Sequence, residues 1–339
     1  MRAVVIRDGG LVVDDVADPV PAFGQVLVRT LACGICGSDL HFLRHGQTMV
    51  DLGGDMGMPD VVDFDRDIYM GHEFACEVLE VGPDTSAMKP GSVVTSMPAM
   101  LTLDGVTNLA YNNDLPGGYS ERMLLSAPLL LEVPNGLDPR HAALTEPMAV
   151  GIHAVHRSGI VAGEAALVIG CGPVGLAVVA ALRLEGIEPI VAADLSPRRR
   201  ELARVMGAHE VVDPAAEPAV EAWRRVDGRR RLVLFEAVGV PGMIDAVMRD
   251  APRDSRLLVV GVCMEPDRIT PFFGIGKELE IRFALAYAPD EFAGSLRSIA
   301  EGELDVAPLI TGSVDLDGVP GAFEALAHPD EHAKILVEP

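Results

Sequence analysis

Three short blocks of this sequence carry side chains able to hold a metal ion. Cys33-Gly34-Ile35-Cys36-Gly37-Ser38-Asp39-Leu40-His41 is followed by Gly71-His72-Glu73 and then by Leu144-Thr145-Glu146-Pro147. Together they offer the sulfur, nitrogen and oxygen donors that tetrahedral zinc accepts. Taken alone, Cys33 and Cys36 also read as a C-x-x-C redox dithiol or as ordinary buried cysteines, although no thioredoxin-like strand-helix context precedes them.

A further block, Gly170-Cys171-Gly172-Pro173-Val174-Gly175, has the form G-x-G-x-x-G. It follows an apolar run and opens an apolar helix. In that setting the first glycine permits the turn, the second lets the backbone approach a pyrophosphate, and the third allows helix and strand to pack closely. The helix N-terminus then faces the phosphates. Asp194 ends the next apolar run, where a carboxylate accepts hydrogen bonds from both adenosine ribose hydroxyls and repels a 2'-phosphate. The expected coenzyme is NAD rather than NADP. The bland alternative is a glycine-rich turn in an α/β protein that binds no nucleotide.

The elements that must position these groups fall into two patterns. As far as residue 133, short alternating or apolar runs at 3–6, 11–16, 26–31, 74–81, 92–97 and 119–125 are separated by Gly and Pro, a mostly antiparallel β pattern. The stretch 47–67, with its acids, glycines and methionines, reads as a long insertion loop, expected to cover the substrate cleft. From residue 146 the period changes. Strand candidates at 165–169, 189–193, 210–213, 231–235, 256–261 and 279–283 alternate with helical runs, which implies a doubly wound parallel sheet. A helix at 290–301 and a short βαβ tail follow. Residues 165–182 are apolar enough to suggest a membrane span, but three glycines and Pro173 divide them into strand, turn and helix start.

Composition narrows the function classes. At roughly 150 residues per domain, 339 residues suggest two domains, and 49% apolar residues suffice for a sizeable core. Fifty acidic residues against 27 basic leave a net charge of -23. That field repels phosphate backbones and anionic membranes, so neither nucleic acid nor a membrane is an expected partner. Five sparse cysteines make no disulfide framework, and no apolar leader with a cleavage site is recognisable. A reducing, cytoplasmic setting is the expectation.

In combination these blocks resemble the zinc-dependent medium-chain dehydrogenase/reductase family, which includes alcohol, sorbitol and butanediol dehydrogenases. The resemblance spans nearly the whole chain. Besides the blocks above it includes Gly117-Gly118-Tyr119-Ser120-Glu121 and Lys334-Ile335-Leu336-Val337. It implies an α/β fold, with a GroES-like β-rich catalytic domain (1–150 plus 288–339) and an inserted Rossmann domain with a doubly wound parallel sheet (151–287). It also implies an enzyme that transfers a hydride between an alcohol or polyol and NAD. The rivals are a zinc-free quinone-reductase-like enzyme and a non-catalytic nucleotide-binding protein.

Carried over by this resemblance, the zinc ligands are Cys36, His72 and either Glu73 or Glu146. Ser38 takes the substrate proton, His41 is the solvent-side base of the relay, and Asp39 orients the His72 imidazole. Arg199 packs by the adenine ribose, Val238 and Phe283 belong to segments that contact the nicotinamide half, and Lys334 reaches the pyrophosphate. No cysteine lies between Cys76 and Cys171, where relatives with a structural zinc carry four, so one catalytic zinc per chain is expected. The family also implies a homodimer or homotetramer with a small-molecule alcohol or polyol as the only other partner.

Overall fold

The computed structural model describes residues 1–57, 62–103, 105–328 and 330–339. A six-stranded sheet has the spatial order Glu210–Val212, Ile190–Ala193, Ala165–Ile169, Leu232–Glu236, Arg256–Val259, Glu280–Phe283, with every pair parallel. The inner strands Ile190–Ala193 and Ala165–Ile169 are continuously apolar because helices cover both faces, whereas the edge strand Glu280–Phe283 carries Glu280 and Arg282. Along Ala165–Ile169 successive side chains alternate: Ala166 and Val168 join the core with Leu176 and Val179, whereas Ala165 and Leu167 join Trp223, Val247 and Met248. The chain order reverses between the strands Ala165–Ile169 and Leu232–Glu236, the kind of crevice where α/β sheets bind ligands.

A seven-stranded sheet is built around the strand Gln25–Gly34, which pairs antiparallel with Glu73–Val81, Arg122–Ser126 and Lys334–Val337. The C-terminal strand is thereby inserted into a sheet otherwise made mostly by the first third of the chain. It also pairs in parallel with Ile310–Val314, across the helix Val319–Leu326. The interior of this half holds Phe74, Ile35, Met70 and Tyr119, all buried. Each such apolar side chain contributes about 1.5–3 kcal/mol by leaving water. A smaller four-stranded sheet joins Arg2–Arg7 to Gly10–Asp15 and to Ile68–Met70, the strand that leads directly into His72.

The helix Thr145–Ser158 connects the two halves and packs against both Pro173–Leu184 and Pro289–Ala300. Gly159 stops it in the left-handed conformation. Among the described residues no helix is long and apolar enough to cross a membrane.

The stretch 47–67 is corrected in part. Its first nine residues continue the helix Gly37–Asp55, which is kinked at His45. Phe42 and the partly buried Met49 and Val50 pack this helix on the catalytic core, so a few apolar positions suffice to hold it against an acidic composition. Residues 58–61 lie outside the described residues. Beyond them, Asp67 pairs with Arg7 at 2.7 Å and Asn113 donates to the carbonyls of Asp63 and Asp67 at 2.9 Å. The stretch is therefore helix followed by an anchored turn rather than one long loop.

Candidate functional site

Cys36 is the N-cap of the helix Gly37–Asp55, and Asp39 is the third residue of that helix. The Cys36 N–H donates to Asp39 Oδ2 at 3.0 Å, and the Tyr119 hydroxyl donates to the same oxygen at 2.6 Å. The other oxygen, Oδ1, lies 3.3 Å from His72 Nδ1. Burial alone would raise the Asp39 carboxyl, yet the His72 imidazole, the Tyr119 hydroxyl and the Cys36 N–H outweigh it and hold it below its ordinary value. Asp39 therefore accepts the Cys36 N–H at the helix start with one oxygen and sets the other beside the His72 imidazole.

His72 and Glu73 are adjacent, at the start of the strand Glu73–Val81. Donor atoms of Cys36, His72 and Glu73 lie within 4.8 Å of one another, the one such grouping of three among the described residues. Ser38 Oγ stands 3.5 Å from His72 Nε2. Gly34 lines up opposite Glu73 in the sheet, and a side chain there would collide with the Glu73 carboxylate. Sulfur, nitrogen and oxygen donors close together, with His72 braced from behind by a buried carboxylate, fit a tetrahedral zinc ion.

Lys334 is corrected. Its Nζ does not extend to a pyrophosphate site but lies buried, 2.6 Å and 2.7 Å from the Glu73 oxygens and 3.0 Å from the carbonyl of Ile35. The reason is topological: its strand is inserted beside Gln25–Gly34, so the side chain enters the interior, where only a buried anion makes an ammonium tolerable. Glu146, in the first turn of Thr145–Ser158, is not in the three-donor group. Burial chiefly pushes its carboxyl up to about 7, while His72 and Lys334 pull it down and Glu73 adds to the rise. It thus faces the same cluster, with Tyr287 as its hydrogen-bonding neighbour. His41 sits on the exposed side of the helix, and no hydrogen bond joins it to Ser38 among the described residues.

The coenzyme side is assembled at the C-terminal ends of the parallel strands. Gly170 has φ +91°, and a Cβ at Gly175 would overlap the Gly170 carbonyl, so that third glycine sets how closely the helix approaches the strand. Gly172 caps the helix Pro173–Leu184, Pro173 takes the first helical position, and Val174 packs partly buried against the core. Asp194 Oδ2 accepts from the Cys171 N–H at 2.7 Å and Oδ1 accepts from the Ser196 N–H at 2.8 Å. It thereby ties the glycine turn to the following loop.

A cavity of about 650 Å³ opens there, lined by Gly170, Asp194, Ser196, Arg199 and Val238 among others. Among the described residues the Arg199 Nε is buried beside it without a hydrogen-bond partner, which suits an anionic or hydroxylated ligand. Phe283 stands apart from this cavity: its side chain is 62% exposed and its carbonyl accepts from Arg157 Nε at 3.3 Å.

Four residues escaped the motif reading. Glu236, buried at the end of Leu232–Glu236, accepts from the N–H groups of Val238 and Gly239 at 2.7 Å and 2.8 Å and so shapes that loop. Tyr119 lay in a quoted motif but had no assigned role. Tyr287 and Tyr111 had no local signal.

With this geometry in place, comparison with known proteins is informative. Residues 22–135 match the alcohol dehydrogenase GroES-like domain model and residues 173–301 match the zinc-binding dehydrogenase model. The chain is 32% identical over 348 residues to the (R,R)-butanediol dehydrogenase of Neisseria gonorrhoeae, covering 98% of this chain and 97% of the relative. The crystal structure of 2R,3R-butanediol dehydrogenase from Bacillus subtilis superposes with a TM-score of 0.84 at 30% identity, covering 100% and 99% of the two chains. A zinc-binding dehydrogenase from Sinorhizobium meliloti 1021 bound to NADP superposes with a TM-score of 0.85 at 28% identity, also covering 100% and 99%. The chain belongs to the zinc-type medium-chain alcohol and polyol dehydrogenase family. It combines that family's GroES-like and Rossmann-type domains, and its class is that of the zinc-dependent oxidoreductases acting on alcohols.

Proposed function

We propose that this chain oxidises the carbinol carbon of a neutral secondary alcohol, diol or sugar-type polyol, with NAD as the hydride acceptor. The observation that carries this reading is the convergence of Cys36, His72 and Glu73 donors within 4.8 Å, beside Ser38. When bound, zinc supplies the Lewis acidity that lets a hydroxyl release its proton near neutral pH, and the nicotinamide supplies the hydride-accepting carbon.

The chain's own residues do the rest. Cys36 and His72 hold the ion, with Glu73 as the third donor and Glu146 the alternative carboxylate. Asp39 orients the His72 ring at Nδ1, so that Nε2, with Ser38 Oγ 3.5 Å away, faces the site. Ser38 Oγ takes the substrate proton, and His41, one turn along on the solvent side, passes it outward. Asp194 and Arg199 hold the adenosine ribose, while the N–H groups at the start of Pro173–Leu184 receive the pyrophosphate. The acidic surroundings disfavour anionic substrates.

We also infer that the chain works as a homodimer or homotetramer. The strand Glu280–Phe283 forms an open edge of the six-stranded sheet, and Phe272, Ile275, Phe283 and Leu285 around it are 75%, 76%, 62% and 70% exposed. An apolar open edge of this kind favours pairing with a second copy. Sedimentation of the purified chain at micromolar concentration should give a dimer or larger species, and a monomer would refute the inference.

The test of function is a panel of neutral alcohols and polyols with the zinc-loaded chain and NAD, following the absorbance of the reduced coenzyme. Turnover of at least one secondary alcohol or polyol is expected. A chain that binds zinc and NAD yet reduces no NAD with any member of the panel would overturn the reading.

A further inference from the structure

Among the described residues, the phenol of Tyr111 is the aromatic hydroxyl beside the metal-ligand cluster left without a partner in good hydrogen-bonding geometry. Its ring centroid lies 6.2 Å from that of His72 with the planes at 68°. On its other side it stacks on Phe42 at 3.9 Å and 4°, and Phe42 is followed by Phe64 at 6.0 Å. The three rings form a ladder from the 47–67 stretch to the site. Phe42 belongs to the same helix as Ser38 and Asp39, so one element positions both the ring and its polar neighbours.

Among the described residues the Tyr111 oxygen is buried and meets no partner in good hydrogen-bonding geometry, with Ser38 and Asp39 in its vicinity. Ser38, Cys36 and Asp39 are its polar neighbours; Asp39 Oδ2 is taken by the Tyr119 hydroxyl and the Cys36 N–H, and Oδ1 lies beside His72 Nδ1. A buried hydroxyl without a partner costs about 1–3 kcal/mol, so a phenol kept in that state beside the metal-ligand cluster marks a place where a ligand supplies the missing bond. A phenol is protonated at neutral pH, so it presents a neutral O–H donor with free lone pairs.

We propose that Tyr111 hydrogen-bonds a second hydroxyl of the substrate, one carbon away from the one oxidised, and thereby selects vicinal diols and polyols over monohydric alcohols. A neutral hydroxyl is both donor and acceptor and matches the phenol in both roles. This inference rests on the dehydrogenase reading above and adds the substrate class to it.

The test uses zinc-loaded wild type and Tyr111→Phe, which removes one oxygen and keeps the stack on Phe42. Two pairs sharing a carbon skeleton are compared: butanediol with vicinal hydroxyls against sec-butanol, and propylene glycol against isopropanol. Two quantities are read for each: kcat/KM with NAD, and the equilibrium dissociation constant of the alcohol from the complex with NADH, titrated by NADH fluorescence. Wild type should favour the diol of each pair. Tyr111→Phe should lower kcat/KM for the diols about tenfold and raise their dissociation constants by a similar factor, with the monohydric alcohols changed less than about twofold. The inference is overturned if both members of a pair lose equally, which would mark Tyr111 as packing, or if neither changes, or if wild type prefers the monohydric alcohols. A wild type that reduces no NAD with any alcohol would instead overturn the dehydrogenase reading itself.

Discussion

The ammonium of Lys334 and the carboxylate of Glu73, 261 residues apart in the chain, meet in the interior at 2.6 Å and 2.7 Å. The C-terminal strand delivers the cation and the strand that starts beside His72 delivers the anion. Both are almost without solvent contact, so each makes the burial of the other tolerable. Burial would lower the Lys334 ammonium, but Glu73, Cys36 and Glu146 outweigh it and hold it above its ordinary value.

Lys334→Met should therefore leave an uncompensated buried carboxylate and cost about 3–5 kcal/mol. Glu73→Gln in the same chain should recover part of that loss, because it removes the stranded charge. Thermal or denaturant unfolding of the two single variants and the double variant gives the coupling. Additive losses would show that the two groups do not depend on each other.

One zinc ion per chain is expected, and Cys36→Ser should abolish zinc retention. NAD binding should persist in that variant, because thiolate donation and pyrophosphate contacts belong to different sheets. Metal analysis and a coenzyme titration on the same preparation check both halves. Two tightly held zinc ions in wild type, or simultaneous loss of NAD binding in the variant, would contradict the assignment.

Wild type should prefer NAD to NADP by at least about tenfold in kcat/KM. Charged hydrogen bonds from Asp194 to the ribose hydroxyls contribute roughly 1.5–3 kcal/mol, and each 1.4 kcal/mol is a factor of ten. Asp194→Gly should shrink this preference, with Arg198 or Arg199 able to meet the added phosphate. Because Asp194 also accepts from the Cys171 and Ser196 N–H groups, that variant should bind both coenzymes more weakly than wild type binds NAD. Equal kcat/KM for NAD and NADP in wild type would remove Asp194 from the site.

Stability should carry a pH signature away from the metal cluster. Glu291 accepts from His153 and His156 at 2.8 Å each, bridging the helices Thr145–Ser158 and Pro289–Ala300. Burial opposes the charge on His156, but Glu291 and Glu185 outweigh it and raise its pKa. Burial likewise raises Glu291, but the Ala288 N–H and the two imidazoles outweigh it and lower its pKa. The His156 contribution is fully present below the ordinary imidazole value of about 6.5 and is lost as pH rises through the raised one. The Glu291 contribution is present above about 4.3 and is lost as pH falls through the lowered value. The difference in melting temperature between wild type and His156→Gln should therefore be largest near pH 5–6 and shrink on the alkaline side. A difference independent of pH would show that the pair is not ionic.

The sheets were legible because apolar runs report burial directly. All six parallel strands lie where apolar-rich runs predicted them, and Gly170 to Gly175 stands at the turn that only glycine permits. Cys36 and His72 were legible as donors from their motifs, Cys36 capping a helix two residues after the strand Gln25–Gly34, whereas the choice between Glu73 and Glu146 was left open by the sequence.

What the sequence by itself determined is thus the alternation of strand and helix, the glycine turn and the identity of the donor atoms, because these follow from local sterics and side-chain chemistry. What only the tertiary structure decided is which distant groups share an interior: Lys334 on Glu73 rather than on a phosphate, Tyr119 on Asp39, and Tyr111 against His72. Those contacts depend on where the C-terminal strand inserts and how closely two loops approach. The free energy of pairing buried charges and hydroxyls is settled by partners that no spacing rule connects.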